Sequence, residues 1–109
     1  MKDSKAERLK RAGWKVGSTR EFLELSDEEA ALVEMKVALA RNLRLRRQRR
    51  RLTQTQLAKI IESSQSRVAK MEAADASVSL DLLVRALLIL GASRRDVARI
   101  IAPDRKKAA

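Results

Sequence analysis

A chain of 109 residues that is 45% apolar can bury one small core, but one Trp, one Phe and no Tyr leave that core to aliphatic side chains. A net charge of +11 and a pI near 11.1 point to a polyanionic partner. The absence of Cys excludes disulfides, thiolate metal ligands and cysteine nucleophiles, and no window approaches the roughly 20 apolar residues of a membrane span.

With only three Gly and one Pro, and few β-branched or aromatic strand formers, the expected class is all-α. The elements suggest a compact five-helix bundle over residues 26–102, preceded by an N-terminal extension (1–25) and followed by a basic flexible tail (103–109). The N-terminus carries no apolar core of signal-peptide type, so a cytoplasmic location is expected. Charge is unevenly placed. Residues 21–34 hold six acids and no base, whereas 35–61 hold nine bases and no acid, seven of them arginines between Arg41 and Arg51.

In chain order, residues 1–12 are charged and expected to fray. Residues 13–25 contain Trp14 and Val16, a Gly17-Ser18 pair able to turn, then Phe22, Leu23 and Leu25, which suggests a short extended piece leading into a helical turn. Ser26 with Glu29 forms a capping box, and Asp27-Glu28 place negative charge at the positive end of the helix dipole. The helix that starts there is expected to run to about Arg50, with Met35, Leu39, Leu43 and the stem of Arg47 on its inner face. Thr53 and Gln56 form a second capping box that opens a helix to about Ile61, with Leu57, Ala58 and Ile61 inward. Ser64 caps a third helix from Gln65 to about Glu72, with Val68 and Met71 inward, and Ala73 to Val78 is a loop. Ser79 starts a fourth helix that ends at a Gly91 C-cap. It has one apolar stripe of Leu80, Leu83, Val84, Leu87 and Leu90 and a second of Leu82, Ala86 and Ile89. Ser93 with Asp96 starts a fifth helix carrying Val97, Ile100 and Ile101, and Pro103 ends it.

The segment from Leu52 to Glu72 therefore encodes two short helices joined by a tight turn, apolar only where the pair must touch. Its second helix presents Gln65, Ser66, Arg67 and Lys70 outward, side chains able to bond base edges or phosphates, directly after an arginine-dense stretch. This pattern reads as a helix-turn-helix that docks on double-stranded DNA.

With those elements in place, Leu52 to Gly91 resembles the Xre family, the phage-repressor and Cro type of helix-turn-helix domain. The matching elements are Leu52-Thr53-Gln54, Leu57-Ala58, Ser64, Gln65 to Met71, Glu72 and then Ser79-Leu80 with Leu83. The resemblance implies a repressor that binds its operator as a homodimer, with the recognition helix (65–72) in the major groove. It implies that Gln54 clamps a phosphate at the start of the second helix and that Gln65, Ser66 and Lys70 face the groove with Arg67 alongside. Gln pairs bidentately with adenine, and Arg or Lys favours guanine. Arg44, Arg50 and Arg51 would supply phosphate attraction, and Ser64 would sit at the anion-facing start of the recognition helix. It further implies an ion pair between Arg47 and Glu72; the alternative is that Arg47 meets phosphate directly while Glu72 is solvated. Two positions depart from the family pattern. Glu62 stands where the turn usually holds a left-handed Gly, and Arg51 stands where a Gly often follows the first helix.

Trp14, Val16, Phe22 and Leu23 exceed what a minimal helix-turn-helix needs. They would either cover the second apolar face of the fourth helix or form a docking site for a protein partner. The stretch from Ala12 to Gly17, followed by Phe22-Leu23 and an acidic helix start, is similar to the leader of HigA-like antitoxins, which implies a RelE-like ribonuclease toxin as partner. The acidic residues Glu21 to Glu34 would suit such a basic protein. An enzyme is not expected, because the chain has no His, no Cys and no Gly-rich phosphate loop, and its carboxylates sit where helix capping explains them. No cofactor or metal is expected. A role for Arg41 to Arg51 on a membrane surface would need the apolar residues Met35, Leu39 and Leu43, which the core requires.

Overall fold

A computed structural model describes residues 25–103, and among these residues there are five α-helices and no strand. They are α1 (Asp27–Arg49), α2 (Gln54–Ile60), α3 (Gln65–Glu72), α4 (Leu80–Ile89) and α5 (Arg94–Ile101). The chain divides into two units, residues 1–34 and residues 35–109. The described part of the first unit is the start of α1, where Ser26 N–H donates to Glu29 Oε1 at 3.0 Å and Glu29 N–H donates to Ser26 Oγ at 3.2 Å, closing the capping box. None of the helices among the described residues is long and apolar enough to cross a membrane.

In the second unit each helix start is fixed by a side chain three residues back. Thr53 and Gln56 exchange bonds of 2.8 and 3.0 Å at α2, and Ser93 and Asp96 exchange bonds of 2.9 and 3.0 Å at α5. Ser64 Oγ accepts from Arg67 N–H at α3, and Ser79 Oγ accepts from Leu82 N–H at α4. Each of these satisfies a backbone donor that the first helical turn leaves without a partner.

The helix ends share one device. After α1, α2, α3 and α4 the backbone turns left-handed at Arg51, Glu62, Ala74 and Gly91, with φ of 57°, 56°, 54° and 99°. The N–H groups of Leu52, Ser63, Asp75 and Ala92 then reach back to the carbonyls of Arg47, Ala58, Lys70 and Leu87 at 2.7–3.1 Å. This is the Schellman closure, which normally relies on Gly because a Cβ is strained there. Of these four positions only 91 is Gly, so the fold keeps the glycine backbone without the glycines.

The core is aliphatic: Leu39 and Leu43 of α1, Leu57 of α2, Val68 and Met71 of α3, and Leu83 and Leu87 of α4 are fully buried. Several expectations change. Met35 is only half-buried, and Ala40 is the buried residue beside Leu39. The second stripe of α4 splits. Ala86 is buried and Leu82 half-buried, but Ile89 is 45% exposed, and Leu88 beside it is 43% exposed. Ile101 of α5 lies outside the core at 37% exposure.

Candidate nucleic-acid interface

The pair α2 and α3 meets through Leu57, Ala58, Val68 and Met71, all buried. At about 100° per residue, the inward direction set by Val68 and Met71 puts Ser66 and Lys70 on the opposite face of α3, and both are exposed. Gln65 and Arg67 flank that face. Gln65 lies on the edge toward α2, whereas Arg67 lies on the edge toward α4, where it lines a groove with Ile60, Glu62, Leu82 and Arg85.

One hydrogen-bonded chain ties this face to the rest of the domain. Arg47 Nε and Nη2 donate to the two carboxylate oxygens of Glu72 at 2.5 and 3.0 Å, and Arg47 Nη1 donates to the Leu52 carbonyl at 2.8 Å. Gln54 Nε2 donates to Glu72 Oε1 at 3.1 Å, and Gln65 Nε2 donates to Gln54 Oε1 at 2.7 Å. The orientation of the Gln54 amide follows from chemistry, since a carboxylate can only accept, so the amide NH2 faces Glu72 and the carbonyl faces Gln65. The chain thus runs from α1 through the end of α3 to the starts of α2 and α3. Side-chain exposures of 13% for Arg47 and 4% for Glu72 make it a largely desolvated pair, where a bidentate guanidinium fork holds a carboxylate most firmly.

The start of α3 is itself suited to an anion. Ser64 Oγ accepts from Arg67 N–H at 3.2 Å and lies 3.3 Å from Ser66 Oγ. The first N–H groups of the helix have no intrahelical acceptor and carry the positive end of its dipole. Gln54 keeps a second amide N–H beside them, although its side chain is half-buried rather than extended into solvent.

The arginine run does not form one patch. Arg47 is spent on Glu72, and Arg41, Arg46 and Arg49 line a groove with α5. Arg50 lies over the end of α4, where a Cβ at position 91 would stand 2.8 Å from its Nη2. A cation there is favoured by the carbonyl end of the helix dipole. Arg44 and Arg51 are exposed. Sequence reasoning did not find the Gln54–Gln65 bond, which joins residues on different helices and has no local signature. Trp14, Val16, Phe22 and Leu23 lie outside the described residues.

No curated protein and no solved structure matches the chain. A family model described as a helix-turn-helix domain matches residues 38–100, more than half of the chain. That span opens within α1 and closes within α5, taking in the capped α2–α3 pair and the Arg47–Glu72 tie. The chain therefore belongs to the helix-turn-helix domain family of DNA-binding domains.

Proposed function

We propose that this protein is a sequence-specific transcriptional repressor that binds double-stranded DNA as a homodimer, with α3 in the major groove. The observation that carries the reading is the chain Arg47–Glu72–Gln54–Gln65, which seats the start of α3 while Ser66 and Lys70 remain exposed. Gln65, Ser66 and Lys70 then meet base edges, with Arg67 at the rim. The free amide hydrogen of Gln54 and the N–H groups behind Ser64 hold a phosphate, and Arg44, Arg50 and Arg51 add sequence-independent attraction. One recognition helix spans only a few base pairs, and two-fold pairing doubles what is read.

The groove between the end of α2 and α4 supports the dimer. Ile60 and Ile89, exposed at 46% and 45%, line it together with Glu62, Arg67 and Arg85, and Leu88 beside it is exposed at 43%. A patch with apolar residues and charges of both signs offers the mixed chemistry an isologous contact between copies uses. Selection from a random duplex pool at physiological salt tests the whole reading. An enriched inverted repeat with half-sites about one helical turn apart is expected; salt-sensitive binding without enrichment would overturn it.

A second reading rests on the leader alone. Trp14, Val16, Phe22 and Leu23, followed by six acids in residues 21–34, fit an antitoxin that neutralises a basic RelE-like toxin and represses its own operon. Co-purification of such a toxin with the full chain, lost on Trp14→Ala with Phe22→Ala, is the outcome this reading requires.

A further inference from the structure

Three arginines of α1 (Arg41, Arg46 and Arg49) converge with Arg99 of α5 on a groove of about 420 Å³. At about 100° per residue, Arg49 lies roughly 160° round α1 from Arg47, on the side away from the tie to the recognition helix. This cluster is therefore separate from the DNA-reading face.

One carboxylate organises it. Asp96 caps α5 by accepting from Ser93 N–H at 2.9 Å, accepts from Arg99 Nη2 at 2.6 Å, and pairs with Arg46 Nη2 at 3.4 Å. Asp96 thereby draws two guanidiniums from different helices together, Arg99 still 65% exposed, and it neutralises only one of the four positive charges. The Nε of Arg46 is buried and, among the described residues, has no hydrogen-bond partner. Arg41 and Arg49 are exposed and form no salt bridge among the described residues. Ile100 gives the groove a half-buried apolar wall.

We propose that this groove binds a compact, multiply charged phosphate chain, free or carried by a nucleotide. Guanidinium forks match phosphate oxygens bidentately, and a diphosphate or triphosphate brings the three or so negative charges that the groove leaves unbalanced. A concavity of this size holds a small molecule, not a duplex. Asp96 acts here as a positioning residue that presents Arg46 and Arg99 to the ligand.

The test is titration of inorganic tripolyphosphate into the full chain at physiological salt, followed by calorimetry, with ATP as a second titrant. The proposal expects one site per chain, with affinity lost about tenfold or more in Arg41→Gln with Arg49→Gln, and partly kept when both are Lys, which retains charge but not the fork. Both positions are exposed, so the variants should fold, and circular dichroism checks this. Duplex affinity of the Gln variant should stay within about threefold of the parent at equal salt, and Lys70→Ala should leave tripolyphosphate binding unchanged. ATP binding like tripolyphosphate marks a nucleotide as the carrier, and tripolyphosphate alone marks the free anion; either supports the site. Equal binding by parent and Gln variant would mean bulk attraction to a basic protein and would overturn the proposal. So would a Gln variant that loses duplex affinity together with tripolyphosphate, since the groove would then be a DNA-backbone contact.

Discussion

Arg47 and Glu72 stand 25 residues apart in the chain, yet both oxygens of the Glu72 carboxylate are held by the Arg47 guanidinium, at 2.5 and 3.0 Å. The same carboxylate accepts from Gln54, so one acid sets the spacing of α1, α2 and α3.

Removing either partner strands the other. Glu72→Ala leaves Arg47 Nε and Nη2 and the Gln54 amide without their acceptor in a nearly buried place, and Arg47→Ala leaves a carboxylate that is 4% exposed with only the Gln54 amide as donor among the described side chains. Each change should cost about 3 kcal/mol of stability. Urea unfolding measures this, and the double variant should cost clearly less than the sum of the two. Costs below about 1 kcal/mol would mean that the pair is solvent-screened.

The left-handed helix ends give a second prediction. Glu62→Gly and Ala74→Gly should each stabilise the domain by about 0.5–1 kcal/mol, because relief of Cβ strain exceeds the added freedom of the unfolded chain. Gly91→Ala should destabilise by about 1–2 kcal/mol. Its contact with Arg50 Nη2 is relieved by moving a flexible side chain, so the backbone at φ 99° carries the cost. Thermal unfolding of the three variants checks the signs.

The capping and ion-pairing of Asp96 predict acid sensitivity. Hydrogen bonds from the Ser93 N–H and hydroxyl, then from Arg99, hold its carboxyl below the ordinary value of 3.8, with Arg46 adding to the effect; at Asp75 the Ser77 hydroxyl and N–H do the same. A depressed folded pKa stabilises the protein above the unfolded value and ceases to do so as pH falls through the folded one. The stability gap between the parent chain and Asp96→Asn should therefore be flat from neutral pH down to about 5 and close below about 4. A gap that closed nearer neutrality would implicate another group.

The proposed dimer face makes a fourth prediction. Ile89→Glu places a charge on an exposed position, so folding should survive while self-association weakens by about tenfold or more in sedimentation. An unchanged mass distribution would move the interface to another surface.

Local chemistry was the legible part of this chain. Each capping residue acts on a group three residues away, so Ser26, Thr53, Ser64, Ser79 and Ser93 mark the helix starts directly, and the spacing of Leu57, Ala58, Val68 and Met71 marks the seam between α2 and α3. Backbone conformation was less legible. Arg51 and Glu62 look like departures from a glycine pattern, but the helix-end hydrogen bonds hold them left-handed all the same, and Ala74 joins them without any sign in the sequence. The arginine run was least legible. In one dimension it is a single basic block, but the helix turn distributes it among Glu72, the end of α4 and the α5 groove.

The most direct test of the account is the ratio of specific to random duplex affinity for Gln65→Ala against the parent chain, once selection has supplied an operator. Gln65 is exposed, and among the described residues its side chain bonds Gln54 alone, so its removal frees the start of α3 from Gln54 but leaves the Arg47–Glu72–Gln54 bonds and the core in place. The account predicts that discrimination falls by about 1–3 kcal/mol while affinity for random duplex is kept. An unchanged ratio would contradict it, because α3 would then not be the element that reads the bases.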